Sequence, residues 1–352
     1  MLNDRIQTSR WGILEQLWET MTADVDRVYC GTGPAGLADR HVMELVRLAT
    51  TGSMSIAELA RSVERVPARV EIKVGEMASL GLVAVSVPDG GGAPIVAVTE
   101  LTRRLVPRLL AEWEATEAVL SELERQVPYP LRRAFADLAD RLERRSFLAR
   151  LSDALAPGAR SVVGVPGGDA PGRRFPDGQA APVDTAVPRP EELPRTSQWH
   201  ALRLVWTQIG EDLDRAYAAI GSSEITRNTA PLVLRLHLDG PQTVQQLSAA
   251  EVRPLYKVLN DVEWLRAHGY VTTGAPDEPF GVTAAGACLV PVIDRVWTAR
   301  EAVIVELERE LPYPISRVAE DLWRCVEERS FHERLREKLL ADPRWVAEPI
   351  QL

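Results

Sequence analysis

Cysteine is scarce in this chain: Cys30, Cys288 and Cys325 are the only three in 352 residues, and no CxxC spacing occurs among them. That excludes a disulfide framework and a thiolate zinc site, and it fits a reducing compartment. Long apolar runs are missing as well. No stretch approaches the roughly 18 uninterrupted apolar residues that read as a membrane span, and no charged stretch leads into an apolar one near Met1. A cytoplasmic protein with no membrane partner is expected. The chain also lacks a basic excess, since 50 Asp and Glu outnumber 41 Lys and Arg for a formal net charge of -9 and a pI near 5.3. This argues against a surface that is everywhere an electrostatic sleeve for nucleic acid. Catalytic motifs are absent too: there is no HExxH, no nucleophile elbow and no glycine-rich phosphate loop between a strand and a helix. Cys30-Gly-Thr-Gly-Pro-Ala-Gly36 follows a helix and contains proline, so it is set aside as a phosphate loop. No metal and no cofactor are expected.

What the chain does contain is 45% hydrophobic residues, enough for two or three domains with real cores. It also contains itself twice. Glu117 to Ala156 aligns with Glu301 to Leu340 at an offset of 184, with half of the positions identical. Upstream the offset becomes 188, pairing Asp26-Arg27 and Tyr29 with Asp214-Arg215 and Tyr217, and Gly81-Leu-Val with Gly269-Tyr-Val. The change falls between Val83 and Val98, marking a surface hairpin that tolerates deletion. Residues 156–197 between the copies hold eight prolines and six glycines, a linker composition. Fully extended, such a segment reaches about 130 Å and places little restriction on how the copies pair. The domains expected are 1–155, a linker over 156–197, and 198–352.

Within one copy, Ile13, Leu14, Leu17, Met21 and Val25 give a helix over Arg10 to Tyr29, and His41 to Ala49 a second. Ser55 with Glu58 three residues on is a capping box that opens a third. A break near Glu64-Arg65 precedes a fourth, with Val66, Val70, Val74, Met77 and Leu80 on one face and Gly81 as its stop. Leu82 to Val87 and Ile95 to Val98 flank Pro88-Asp89-Gly90-Gly91-Gly92, a hairpin. Thr99 caps a long helix through Trp113 to about Glu124, and Val127-Pro-Tyr-Pro breaks the chain before a last helix carrying Leu131, Phe135, Leu138 and Leu142. The second copy repeats the order, with a shorter hairpin around Gly274 to Pro279. The expectation is a mainly α protein with small β-hairpin wings.

Ser55-Ile-Ala-Glu-Leu-Ala, Val74 to Val83, the hairpin, Val98-Thr-Glu-Leu-Thr and the counterparts through Trp264 to Val271 together resemble the MarR family of winged-helix transcription factors. The resemblance implies two tandem winged-helix domains with long dimerisation helices, the two copies pairing within one chain as a pseudo-dimer. It also implies that each fourth helix enters a major groove and each wing a minor groove of double-stranded DNA. The candidate contacts are then Arg61, Arg65, Arg69 and Lys73 in the first copy and Arg253, Lys257 and Arg266 in the second.

Local charge opposes that role. Residues 53–98 set those four basic side chains against Glu58, Glu64, Glu71, Glu76 and Asp89, and residues 241–283 set three against Glu251, Asp261, Glu263, Asp277 and Glu278. Both modules are net acidic where phosphate contacts need Lys and Arg, and neither hairpin tip carries an arginine.

The resemblance further implies a small aromatic ligand in the crevice beside the long helices. Trp11, Trp18, Trp113, Trp199, Trp206 and Trp297 fall on helices that would line it, Trp18 aligning with Trp206 and Trp113 with Trp297. Tyr29-Cys30, Arg40-His41 and His237 fall where the copies diverge, and Tyr217 pairs with Tyr29; His41 or His237 is a candidate acid–base group and Cys30 a candidate redox sensor. Two functions follow: a ligand-responsive DNA-binding regulator, or a MarR-derived protein that has lost DNA binding and uses an interior pocket for small-molecule binding or catalysis.

Overall fold

The computed structural model describes residues 9–30, 34, 36–65, 67–88, 91–156, 198–222, 224–251, 253–272 and 278–346. The expected linker and parts of both hairpin tips lie outside them. The described chain is mainly helical, with one small antiparallel sheet. In order it forms α1 (Gly12–Val28), α2 (Asp39–Thr51), β1 (Met54–Ser55), α3 (Ile56–Ser62), α4 (Pro67–Ser79), β2 (Val83–Ser86), β3 (Ile95–Val98), α5 (Glu100–Glu124), α6 (Leu131–Arg144) and α7 (Phe147–Leu155). There follow α8 (Gln198–Ala219), α9 (Thr229–Asp239), α10 (Val244–Glu251), α11 (Leu255–Ala267), α12 (Ala284–Glu310), α13 (Ile315–Glu328), α14 (Phe331–Leu340) and α15 (Pro343–Val346). None of the described helices is long and apolar enough to cross a membrane.

Local chemistry sets the boundaries. Ser55 Oγ accepts from Glu58 N at 3.3 Å while Glu58 Oε2 accepts from Ser55 N at 2.8 Å, so two otherwise unsatisfied donors at the start of α3 are bonded reciprocally. Thr99 and Thr283 cap the two long helices, each hydroxyl accepting the amide three residues on, Thr102 at 3.4 Å and Gly286 at 3.1 Å. Gly81, at φ +68°, turns the chain from α4 into β2. β3 is central, pairing Met54 with Val96 on one side and Val83 with Val98 on the other; β1 joins two expected strands. In the second half only the bridges Gln242–Phe280 and Val271–Val282 occupy the corresponding place among the described residues.

The single last helix expected after Val127-Pro-Tyr-Pro is two helices, α6 and α7. Ser146 interrupts the run by accepting from Ala149 N at 3.1 Å, a cap that restarts the helix with Phe147 fully buried. Ser330 does the same before α14, as a complete capping box with Glu333.

The compact units do not coincide with the sequence halves 1–155 and 198–352. One unit gathers Glu15–Arg133, Val187–Leu204 and Val318–Leu352; the other gathers Met1–Leu14, Ala134–Ala186 and Val205–Arg317. They are called the first and second unit below. In the first, α5 packs on α2 and β3 of its own copy but takes α14 and α15 from the other copy. In the second, α12 packs on α9 of its own copy but takes α7 from the other. Each module therefore completes its core with borrowed helices.

The same pair of devices fastens the exchange in both units. Leu148 N, at the start of α7, donates to Asp212 Oδ2 at 2.9 Å, and the equivalent His332 N donates to Asp24 Oδ2 at 3.0 Å. Buried Arg150 on α7 reaches Glu306 and forks onto Glu310 at 2.7 and 2.9 Å, and buried Arg334 on α14 reaches Glu122 at 2.5 Å. Replacing Arg150 with alanine is expected to lower stability in urea denaturation by about 2 kcal/mol, the size of a lost hydrogen bond to a charged group. Arg150→Lys is expected to recover less than half of that, because an ammonium cannot fork; full recovery by lysine would show that charge alone holds α7.

Candidate functional site

The basic side chains singled out for DNA contact divide by what they touch. Arg61, on α3, is exposed with its Nε directed at Ala57 O, and Arg69, on α4, is exposed. Arg65 and Lys73 turn inward. Both reach Glu44 Oε1 at 3.1 Å, a carboxylate on α2 with no solvent exposure, and Lys73 Nζ also donates to Arg40 O at 2.6 Å. Burial pushes the Glu44 carboxyl up, but the charges of Lys73 and Arg65 outweigh it and hold the group below its ordinary value; burial lowers Lys73. Beside them Glu76 accepts from Arg40 Nε at 3.2 Å and lies 3.2 Å from His41 Nε2. His41 is fully buried, and burial first and the Arg40 charge second lower its pKa. These contacts join α4 to α2.

The second copy solves the same problem with other residues. Arg253 pairs with Asp261 at 2.5 Å and donates to Asn228 O at 3.1 Å. Asp261 stands where Lys73 does, and Leu232 where Glu44 does. Arg266 lies 4.8 Å over the Phe280 ring, and Lys257 is half-buried. Four of the seven candidates, Arg65, Lys73, Arg253 and Arg266, are thus turned to an ion pair or a ring of the protein itself. The outward positions of α4 and α11 also carry apolar side chains, with Ile72 66% exposed, Leu255 46% and Tyr256 48%.

The pocket candidates do not converge on one place. Trp18, Tyr29, His41 and Trp113 belong to the first unit, and Trp11, Trp206, Tyr217, His237 and Trp297 to the second. Trp11 is buried against Phe147, ring centroids 6.3 Å apart, and His237 is exposed on α9. The side chain of Trp199 lies outside the described residues. Trp113 and Trp297, equivalent in the repeat, are both buried with indole N–H groups that find no partner. Cys30 is exposed, and no group of three or more His, Cys, Asp and Glu among the described residues is arranged to hold a metal.

Around Tyr29 the first unit forms a buried polar cluster. Tyr29 lies just past the end of α1, and its hydroxyl donates to Glu112 Oε2 at 2.6 Å. Glu112 and Thr116, one turn apart on α5, share a face, and the Thr116 hydroxyl donates to Glu112 Oε1 at 2.6 Å. Asp26 Oδ1 accepts from Asp39 N at 2.9 Å, and Arg203, on α8, is ion-paired with Asp39. Glu112 is 2% exposed and its pKa is pushed up to about 7, by burial first and then by the charges of Asp26 and Glu117 against the two hydroxyl bonds. Burial and the facing Glu112 raise Tyr29, while burial lowers Arg203 to about 10. The cluster therefore holds a carboxyl group that changes protonation near neutrality, flanked by two hydroxyls.

Among the described residues this cluster occurs once. In the second unit Tyr217 stays buried, but the positions of Glu112 and Thr116 are Val296 and Arg300. The Arg300 guanidinium lies 4.8 Å over Trp297 and donates to Ser9 Oγ at 3.2 Å. Glu112 and Thr116 escaped the sequence reading. The signal that would have found them is the break in the repeat, Glu against Val and Thr against Arg, on either side of the aligned Trp113 and Trp297. The chain matches no family model, no curated protein and no solved structure.

Proposed function

We propose that the chain is a MarR-like winged-helix pseudo-dimer in one polypeptide that keeps the modules as architecture and takes a small aromatic molecule at the Tyr29–Glu112–Thr116 cluster. The observation that carries this reading is the direction of the basic side chains. Arg65 and Lys73 are bound to Glu44, Arg253 to Asp261, and Arg266 to the face of Phe280. A module that grips phosphates needs such groups in solvent, where they displace counterions. The acidic balance of both modules and the exposed Ile72, Leu255 and Tyr256 point the same way. The buried cluster supplies convergent polar groups, two hydroxyls and a carboxyl, that can hydrogen-bond a phenolic or carboxylic ligand. Near neutral pH, Glu112 both accepts and donates a hydrogen bond.

A DNA-binding regulator is the second reading, supported by Arg61 and Arg69, which are exposed on α3 and α4. One pair of measurements separates the two. Mobility shift with the chain's own upstream duplex at low salt is expected to show no complex. Calorimetry with phenol, 4-hydroxybenzoate and tyramine is expected to show one site per chain for at least one of them, lost in Tyr29→Phe. A salt-dependent shift together with three flat titrations would reverse the assignment.

A further inference from the structure

The short helix α15 carries an unusual hold on α5. Arg344 forks its guanidinium onto both oxygens of Glu114, at 3.1 and 2.5 Å, and its Nη2 also reaches Asp342 at 2.6 Å. Asp342 in turn accepts from Arg344 N at 2.8 Å, so the segment is folded back on itself as it meets α5. Glu114 stands two residues from Glu112 on α5, so it faces away from it, half-exposed where Glu112 is buried. The next side chain, Trp345, lies edge-on against Tyr29, ring centroids 6.2 Å apart at 63°. Tyr29 is the residue whose hydroxyl holds Glu112. The segment thus meets the cluster at one point, over its tyrosine, and is fastened to α5 at Glu114 on a more exposed face of that helix.

Its own grip is slight. No residue of α15 is buried, and Val346 is 55% exposed. Arg344 and Glu114 each keep 36% of their side-chain surface in solvent, so their attraction is weak and screened by salt. The Trp345–Tyr29 contact and the packing of this one-turn helix on α5 and α14 add the rest. A segment held this way opens locally at small cost while the helices beneath it stay folded. The repeat shows that the device is not part of the common module: the aligned stretch of the first copy, Ala159-Arg160-Ser161-Val162, has serine in place of Trp345, and Glu114 is replaced by Thr298 in the second. Strap and cluster occur in the same unit, and neither has its counterpart in the other copy.

We infer that residues 342–346 are a strap over the Tyr29–Glu112 site, fastened by the Arg344–Glu114 fork and seated by Trp345 on Tyr29, which swings away to admit a small molecule. The use of the strap rests on the proposed function; its motion does not. The test therefore reads access directly. In a chain with Cys30, Cys288 and Cys325 replaced by serine, Glu112→Cys places a thiol at the cluster, and Thr116→Cys places a second one should the first variant fail to fold. The rate of modification by a water-soluble disulfide reagent then follows the open population. With the strap intact, the buried thiol is expected to react slowly and to speed up as salt is raised. Arg344→Ala is expected to accelerate it roughly fivefold and to abolish the salt effect, since the ion pair is gone. Trp345→Ala is expected to accelerate it by a similar factor while keeping the salt effect. Equal rates in all three backgrounds overturn the strap. Accelerated rates in a chain that binds none of the three phenolic probes overturn the functional reading and leave the strap standing.

Discussion

Glu44→Ala is expected to lower the stability of the chain by about 3 to 5 kcal/mol, the largest effect of any single polar substitution considered. The carboxylate has no solvent exposure and is shared by Arg65 and Lys73, each at 3.1 Å. Removing it leaves a mostly buried ammonium and guanidinium without their shared carboxylate, with Glu76 the remaining opposite charge on Lys73, and that desolvation cost dominates over the loss of the contacts themselves. The other copy supplies a rescue. There the equivalents of Glu44 and Lys73 are Leu232 and Asp261, and Arg253 closes on Asp261 at 2.5 Å. Glu44→Leu alone is therefore expected to behave like the alanine variant, and Lys73→Asp alone to bring two carboxylates together. The double variant is expected to regain most of the stability, with a coupling above about 2 kcal/mol in a urea-denaturation cycle. Additive losses would show that the two modules anchor α4 and α11 by unrelated means.

Glu112 gives the second large effect, and it is read in pH. Its pKa in the folded chain is about 7, against an ordinary value of 4.5. The native state thus binds the proton more tightly than the unfolded chain does, so this contribution is complete below about pH 4.5 and is lost as pH rises through about 7. At 1.36 kcal/mol per unit, the loss between pH 5 and pH 8 amounts to about 3 kcal/mol. Glu112→Gln keeps a polar group for the two hydroxyls and cannot ionise. Denaturation at both pH values is expected to show the wild type losing about 3 kcal/mol more than the variant over that range. Parallel pH profiles would mean that Glu112 is hydrated in the folded chain.

Local structure was legible where one residue decides it. The apolar period of α1 and α4, the Ser55–Glu58 capping box, the Gly81 stop and the Thr99 cap are each written in a few adjacent positions, and each element appears within a few residues of its expected limits. The break at Ser146 was equally local but hidden, because Arg145-Ser146-Phe147 carries neither glycine nor proline; the clearer copy, Ser330 followed by Glu333, shows the same break as a capping box. The exchange of α7 and α14 between the copies had no sequence signal. The two helices repeat the same apolar positions, Phe147, Leu151 and Leu155 against Phe331, Leu335 and Leu339, so periodicity states that α7 needs a partner without stating whether α5 or α12 provides it. The site was half legible for a related reason. Tyr29 stands out as an aromatic residue kept in both copies, whereas Glu112 and Thr116 sit in a helix already rich in charge, where the mismatch with Val296 and Arg300 gains meaning only from their burial.

The exchanged helices also govern when the chain can finish folding. Asp24 meets the amide of His332 across 308 residues of sequence. A ribosome that has delivered the whole first module has still not delivered α14, so the face of α5 that packs on it waits for that helix to be made. Contacts this distant in sequence slow folding and leave apolar surface exposed in the interval. Joining the copies in one polypeptide shortens that wait, because it turns an encounter between separate subunits into a ring closure whose rate does not depend on how much protein the cell contains.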